Sequence, residues 1–77
     1  MEFIVKFTWH DDERIWLAES SSNNYGLTAD SNSFDGLLEK VKIILADAAE
    51  MDMNYKGEIK LKLDVDHTVT LNTSAVA

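Results

Sequence analysis

No cysteine occurs among the 77 residues of this chain, which excludes disulfide bonds and thiolate metal ligands. A chain of this length hides only about 60 % of the surface that its unfolded form exposes. Without covalent staples, the hydrophobic core or an oligomer interface has to supply the stability. We therefore expect one domain over residues 1–77 and a homo-oligomer.

Proline and long apolar runs are absent too. The lack of proline leaves every predicted strand free to form its ladder of hydrogen bonds. No span approaches the roughly 20 apolar residues that cross a bilayer. Glu2 and Lys6 interrupt the first apolar run, so no basic segment precedes an apolar one as in a secretory signal. We expect a cytoplasmic protein that makes no contact with a membrane.

Basic residues are scarce, with 7 lysines and arginines against 14 carboxylates and a net charge of −7. Phosphate backbones require clustered basic residues, so direct binding of nucleic acid is not expected. Residues 1–39 hold most of the excess, because only Lys6 and Arg14 oppose the carboxylates there. The charge either serves solubility alone or attracts a basic partner through the first half of the chain.

The first third of the chain predicts a strand pair and a short third strand. Apolar residues alternate from Phe3 to Trp9, as in a strand with one buried face. Residues 10–13 form a polar break before residues 14–19 resume a strand pattern, which favours an antiparallel hairpin with a four-residue loop. Residues 20–24 contain only serine and asparagine and predict a loop. Residues 26–30 then predict a short third strand at an edge of the sheet.

A helix and a further strand follow. Ser33 is a predicted N-cap, and apolar residues recur at steps of three and four from Phe34 to Ala48, so a helix should run to about residue 53 with its apolar stripe packed on the sheet. Alternation over residues 59–65 predicts a strand that bends, bulges or turns back before a frayed tail at residues 72–77. The predicted fold is α+β in the order β-β-β-α-β: a three- to four-stranded, mainly antiparallel sheet with one helix on one face.

Candidate catalytic groups are few. The acidic run at residues 10–13 fits a polar loop, and Asp64 with Asp66 and His67 fits a solvated strand end better than a divalent ion site. The hydroxyl cluster at residues 20–22 has no adjacent histidine as a base, and no glycine-rich phosphate loop is present. We predict no catalytic residue, metal or cofactor, and a protein that is not an enzyme. A metal-dependent nuclease built on Asp64 and Asp66 is the least favoured alternative.

The two tryptophans differ in phase. Trp9 follows the apolar register of the first strand, whereas Trp16 alternates with Ile15 and Leu17. We therefore expect one tryptophan to face the helix and the other to face away from it. An exposed Trp16 would be either a partner-binding residue or an ordinary cross-strand contact.

Four segments, in this order and spacing, resemble the HicB-type antitoxin domain, in particular its stand-alone members of unknown function. The segments are Trp9-His10-Asp11-Asp12-Glu13, Ile15-Trp16-Leu17-Ala18-Glu19-Ser20, Gly26-Leu27 and Ser33-Phe34-Asp35-Gly36-Leu37-Leu38-Glu39-Lys40. The resemblance covers residues 3 to about 53. Tyr25 stands where the family often has proline, and Gly36 stands where it has an acidic residue.

The resemblance implies a partial ribonuclease H-like fold that binds protein and does not cleave RNA. Antitoxins of this family bind small basic HicA toxins, which degrade messenger RNA. We predict contacts with such a toxin through Trp16, Glu19, Tyr25 and Asp30. The alternative is an orphan scaffold or regulatory domain that self-associates through a sheet edge or face. Residues 54–77 are too short and too weakly basic for a DNA-binding module.

Overall fold

In the computed structural model, which describes residues 1–71 and 73, four strands form one mixed sheet and a single helix covers one of its faces. The elements are β1 (Glu2–His10), β2 (Ile15–Ser20), β3 (Leu27–Ser31), α1 (Phe34–Asp47) and β4 (Lys60–Asp66). The strand order is β3-β2-β1-β4. The β1–β2 and β2–β3 pairs are antiparallel, and the β1–β4 pair is parallel. The predicted α+β class and element order are confirmed.

The β1–β2 hairpin closes through residues 11–14, one position later than the sequence indicated. The backbone N–H of Arg14 donates to the carbonyl oxygen of His10 at 2.8 Å. Arg14 has a φ of 59°, in the left-handed region, which makes it part of the turn and not the start of β2. The loop therefore has the predicted length of four residues, and its register pairs Trp9 with Trp16.

The end of β2 and the serine- and asparagine-rich loop after it form hydrogen bonds with the first half of β1. The Ser20 hydroxyl donates to the carbonyl oxygen of Ile4 at 2.8 Å, and the Ile4 N–H donates to the Ser22 hydroxyl at 2.9 Å. Asn23 Nδ2 donates to the carbonyl oxygen of Glu2 at 2.9 Å. Within this loop a short 3₁₀ helix spans Ser22–Asn24. These polar side chains thus stand in for strand pairing where the β1–β2 ladder ends.

Helix α1 begins and packs as the sequence predicts. The Ser33 side chain accepts a hydrogen bond from the Gly36 N–H at 3.0 Å and so caps the helix. Leu37 and Val41 are fully buried, and Leu45 is almost so. A π-helical turn, Ala48–Asp52, continues α1 and brings the helical segment close to its predicted end at residue 53.

The core lies between α1 and the strands, and it covers β1 better than β4. Phe3, Val5 and Phe7 of β1 are fully buried beneath the helix. Leu63 and Val65 of β4 pair with Val5 and Phe7 and so lie on the same side of the sheet. They are nevertheless 40 % and 48 % exposed, because β4 is an edge strand that α1 covers less completely than it covers β1.

The chain after β4 does not return as a hairpin within the described residues, since residues 67–71 contain no strand. The His67 ring lies 5.6 Å from the Trp9 ring and 4.9 Å from the Trp16 indole, both measured between centroids. The predicted frayed tail lies outside the described residues, apart from Thr73. Within the described part of the chain, no helix has the length and apolar character needed to cross a membrane.

Candidate functional site

The prediction that one tryptophan faces away from the helix is wrong. Residues directly opposite on antiparallel strands share a face, and Trp9 is opposite Trp16. Trp16 is only 7 % exposed and packs edge-on against the Phe34 ring of α1 at 5.1 Å. Ile15 and Leu17 instead point to the other side of the sheet.

The loop length could have revealed this arrangement. A four-residue loop pairs odd-numbered positions of β1 with even-numbered positions of β2, whether the loop is residues 10–13 or 11–14. Trp16 must then share the face of Phe7 and Trp9. Apolar side chains occupy four consecutive positions, from Ile15 to Ala18, so the periodicity of β2 alone does not identify its buried face.

Two of the four predicted contact residues, Glu19 and Asp30, lie on the side of the sheet opposite α1. We call this surface the helix-free face and define it by two cross-strand rows, Thr8-Leu17-Asp30 and Lys6-Glu19-Thr28. Leu17 is half-buried and lies next to Asp30. Glu19 is exposed and lies between a lysine and a threonine. The face therefore combines a central apolar side chain with carboxylates on β2 and β3.

Tyr25 and Trp16 do not join this surface. Tyr25 follows the 3₁₀ turn, where its N–H donates to the Ser22 carbonyl oxygen at 3.0 Å, and its half-buried side chain packs against the core. Trp16 lies on the covered side of β2. The structure thus brings together Glu19 and Asp30, adds Leu17, which the sequence analysis did not select, and separates the two aromatic residues from them.

One end of the molecule collects a large share of its negative charge. The hairpin loop, the end of β3, the start of α1 and the end of β4 meet there. Its carboxylates are Asp11, Asp12, Glu13, Asp30, Asp35 and Asp66. We call this region the acidic end. Arg14 contributes a positive charge to the same loop.

These carboxylates make no ion pairs with the described residues of the chain. In the described part of the chain, the ion pairs join Lys42 with Glu39 and Lys60 with Glu58, and none involves the acidic end. Lys40 approaches Asp30, but its Nζ donates to the backbone oxygen of that residue at 2.8 Å. Within the described residues, no salt bridge therefore compensates the negative charge of the acidic end.

In the part of the chain that the structure describes, the carboxylates of the acidic end are not arranged as a metal site. Within residues 1–71 and 73, no three histidine, cysteine, aspartate or glutamate side chains are grouped so that they could hold a metal ion. Asp64 and Asp66 lie across from Lys6 and Thr8, whereas His67 is turned toward the tryptophans. Asp11 Oδ1 accepts a hydrogen bond from the Trp9 indole at 3.0 Å, which gives this carboxylate a structural role.

A second surface, which the sequence analysis did not select, runs between α1 and β4. It is an open groove of about 450 Å³, and we call it the β4 groove. Its lining residues are Leu38, Lys42, Leu45, Ala46, Ile59, Leu61 and Leu63. The alternation of residues 59–65 predicted a strand. Placing that strand at an edge depends on its pairing with β1, which local sequence does not reveal.

The fold and these surfaces define a small α+β domain in which a helix covers one face of the sheet, carboxylates collect at one end and an apolar groove lies open at the edge strand β4. The chain belongs to the family described as Domain of unknown function (DUF1902), whose model matches residues 2–74. Neither the curated proteins nor the solved structures contain a significant match to it.

Proposed function

We propose that this protein is a non-enzymatic, protein-binding domain of the HicB antitoxin type, which binds a small basic toxin that degrades messenger RNA. The resemblance of residues 3–53 to that family supports this assignment. The β-β-β-α-β order is compatible with the ribonuclease H-like topology that the resemblance implies. Neutralisation then consists of covering the RNA-binding surface of the toxin and involves no chemical step.

The acidic end is the observation that carries the proposal. A protein that binds RNA presents a basic surface, and a region of uncompensated carboxylates attracts such a surface from a distance. Charge complementarity of this kind raises association rates and orients the partners. Because the chain makes no ion pairs there within its described residues, a basic partner has no internal pairs to displace.

The helix-free face supplies the contact surface next to the acidic end. Asp30 belongs to both regions, and Leu17 beside it offers an apolar centre. Interfaces commonly combine a dry apolar centre with a charged rim. Glu19 and Asp30 are the proposed rim contacts. Trp16 lies behind them in the core and supports the face without touching the partner.

The test measures binding of this chain to the small basic protein encoded by a neighbouring reading frame, by calorimetry, together with RNA cleavage by that protein. The variant Glu19→Lys/Asp30→Lys reverses two charges on the helix-free face. We expect its Kd to rise at least about tenfold and its inhibition of cleavage to fall in parallel. Binding by the unaltered chain should also weaken at about 0.5 M salt, where the Debye length is roughly 4 Å.

The matched control is Glu50→Lys/Asp52→Lys, which makes the same charge change at exposed positions of the π-helical turn, at the opposite end of α1 from the acidic end. This variant should bind within about threefold of the unaltered chain, since its charges lie outside the proposed contact. Equal losses in the two variants would mean that only net charge matters. The proposal would then be wrong about the surface.

A second candidate, a self-associating scaffold or regulatory domain without a toxin, is favoured by a different observation. Leu63 and Val65 expose apolar surface on the edge strand β4, which lies on the far side of β1 from β2 and β3. Absence of toxin binding combined with self-association would favour this function.

A further inference from the structure

We propose that two copies of this chain pair antiparallel through β4, with Leu63 on the two-fold axis, and so join their sheets into one of eight strands. This inference goes beyond the proposed function and does not depend on the existence of a toxin. It identifies the occupant of the open edge as a second copy and defines the register.

The edge itself invites pairing. Among the residues that the structure describes, strand β4 pairs only with β1, so one side of its backbone has no strand partner there over 7 residues, a length of roughly 20 Å. Proteins commonly protect such edges with proline, a bulge, a very short strand or charged side chains, especially lysine. Strand β4 has no proline and continues its ladder with β1 without interruption from Lys60 to Asp66. Its two lysines are balanced by two aspartates, so its charges do not have to repel a second copy.

The charge pattern of β4 is complementary to itself. Its sequence is Lys60-Leu61-Lys62-Leu63-Asp64-Val65-Asp66. In an antiparallel pair centred on Leu63, Lys60 faces Asp66 of the second copy and Lys62 faces Asp64. The symmetry doubles each contact, so every charge of the strand meets an opposite charge. Opposite charges directly across an antiparallel pair are stabilising.

The apolar side of the strand is complementary in the same register. Leu61 meets Val65 of the second copy, and Leu63 meets its own equivalent. These side chains lie on the α1 side of the sheet, next to the β4 groove. Pairing would therefore cover Leu63 and Val65, which are 40 % and 48 % exposed in one copy, and would place both helices on the same side of the joined sheet.

Other registers of β4 lose this complementarity. A shift of two positions puts Lys62 opposite Lys62, or Asp64 opposite Asp64. A shift of one position puts Lys62 opposite Leu63 and places the two helices on opposite faces. In a parallel pair in register, each lysine lies beside the same lysine of the second copy, and each aspartate lies beside the same aspartate.

The other edge strand, β3, has 5 residues and offers no comparable pattern. Centred on Ala29, an antiparallel pair of β3 strands would match Thr28 with Asp30 and Leu27 with Ser31, without any opposite charges. Of the two edges of the described sheet, β4 is therefore the one suited to a second copy.

The test uses the full chain in a concentration series followed by analytical ultracentrifugation. Lys62→Glu places a glutamate opposite Asp64 of the second copy, and Asp64→Lys places a lysine opposite Lys62. Each variant alone should raise the Kd of the dimer at least about tenfold. A one-to-one mixture of the two variants should recover dimers, because each chain then meets opposite charges in the other.

The lysine introduced by Asp64→Lys also faces Lys6 within the same chain, so the folding of this variant is checked by circular dichroism. Two further variants complete the test. Leu63→Arg alters a side chain that is 40 % exposed in one copy and should dissociate the dimer by placing two charges on the axis. Lys56→Glu is the matched control, since it makes the same charge change in the loop before β4 and should leave the Kd unchanged.

Recovery of dimers in the mixture supports the β4 pairing, because only contact between positions 62 and 64 of different copies predicts it. A chain that stays monomeric up to about 1 mM overturns the proposal. A dimer that tolerates both Lys62→Glu and Leu63→Arg, or a mixture that does not recover, also overturns it and locates the interface elsewhere.

Discussion

Replacement of Trp16 tests whether this side chain of β2 packs beneath α1, the arrangement that differs from the sequence prediction. In the structure the indole is 7 % exposed and contacts the rings of Trp9, Phe34 and His67, at centroid distances of 5.5, 5.1 and 4.9 Å. Truncation of a buried aromatic side chain to alanine costs about 3–5 kcal/mol. Aromatic contacts contribute roughly 0.5–1.5 kcal/mol of such a loss.

The expected loss is large for a chain of this size. At about 0.05–0.15 kcal/mol per residue, its total free energy of unfolding is on the order of 4–12 kcal/mol. Trp16→Ala should therefore remove at least about a quarter of that free energy and, at the low end of the range, all of it. Trp16→Phe keeps a ring against Phe34 and should lose only about 1–2 kcal/mol.

The assay is urea denaturation followed by far-ultraviolet circular dichroism, which does not depend on the altered fluorophore. All variants are compared at one protein concentration, because self-association adds to apparent stability. Leu17→Ala is the control, since its half-buried side chain faces the other side of β2, and we expect a loss below about 2 kcal/mol. A change within about 0.5 kcal/mol for Trp16→Ala, as at a surface site, would refute the assigned packing.

Two further predictions concern the helix start and the segment after β4. Ser33→Ala removes the cap on the Gly36 N–H and should lower the free energy of unfolding by about 1 kcal/mol. Ser33→Thr keeps a hydroxyl at the cap and should retain most of that free energy. Equal urea midpoints for the unaltered protein and both variants would contradict the cap. His67→Ala uncovers the rings of both tryptophans, so their fluorescence should shift to longer wavelength with a loss of about 0.5–1 kcal/mol, while His10→Ala should leave the spectrum unchanged. An unshifted spectrum in His67→Ala would show that the histidine does not pack there in solution.

Much of the local structure could be predicted because it depends on neighbouring residues. The Ser33 cap and the spacing of Leu37, Val41 and Leu45 determine where α1 begins and which side it buries. Strand β1 was equally predictable, since Phe3 to Phe7 alternate strictly with polar or exposed residues. The hairpin loop has its predicted length, and Arg14 was misplaced by one residue because its left-handed backbone leaves no mark in the apolar pattern.

The candidate site was predictable only in part. Glu19 and Asp30 could be selected as exposed carboxylates on neighbouring strands, and the register places them on one face. Trp16 was misassigned because apolar residues fill both faces of β2. Leu17 was not selected as a contact residue, because the same pattern does not show that it lies on the helix-free face. The acidic end could not be recognised as one region, since Asp11, Asp35 and Asp66 are distant in sequence and meet only through the sheet and the helix start.

The sequence by itself determined the elements of this protein, their order and the α+β class, because turns, caps and apolar periodicity act over a few residues. The tertiary structure alone decided that β4 pairs in parallel with β1 and forms an edge of the sheet. That pairing joins residues nearly 60 positions apart and depends on the direction in which α1 returns the chain along the sheet. It leaves Leu63 and Val65 half-exposed and aligns lysines and aspartates along an open edge. The surfaces on which both proposals rest thus arise from long-range packing.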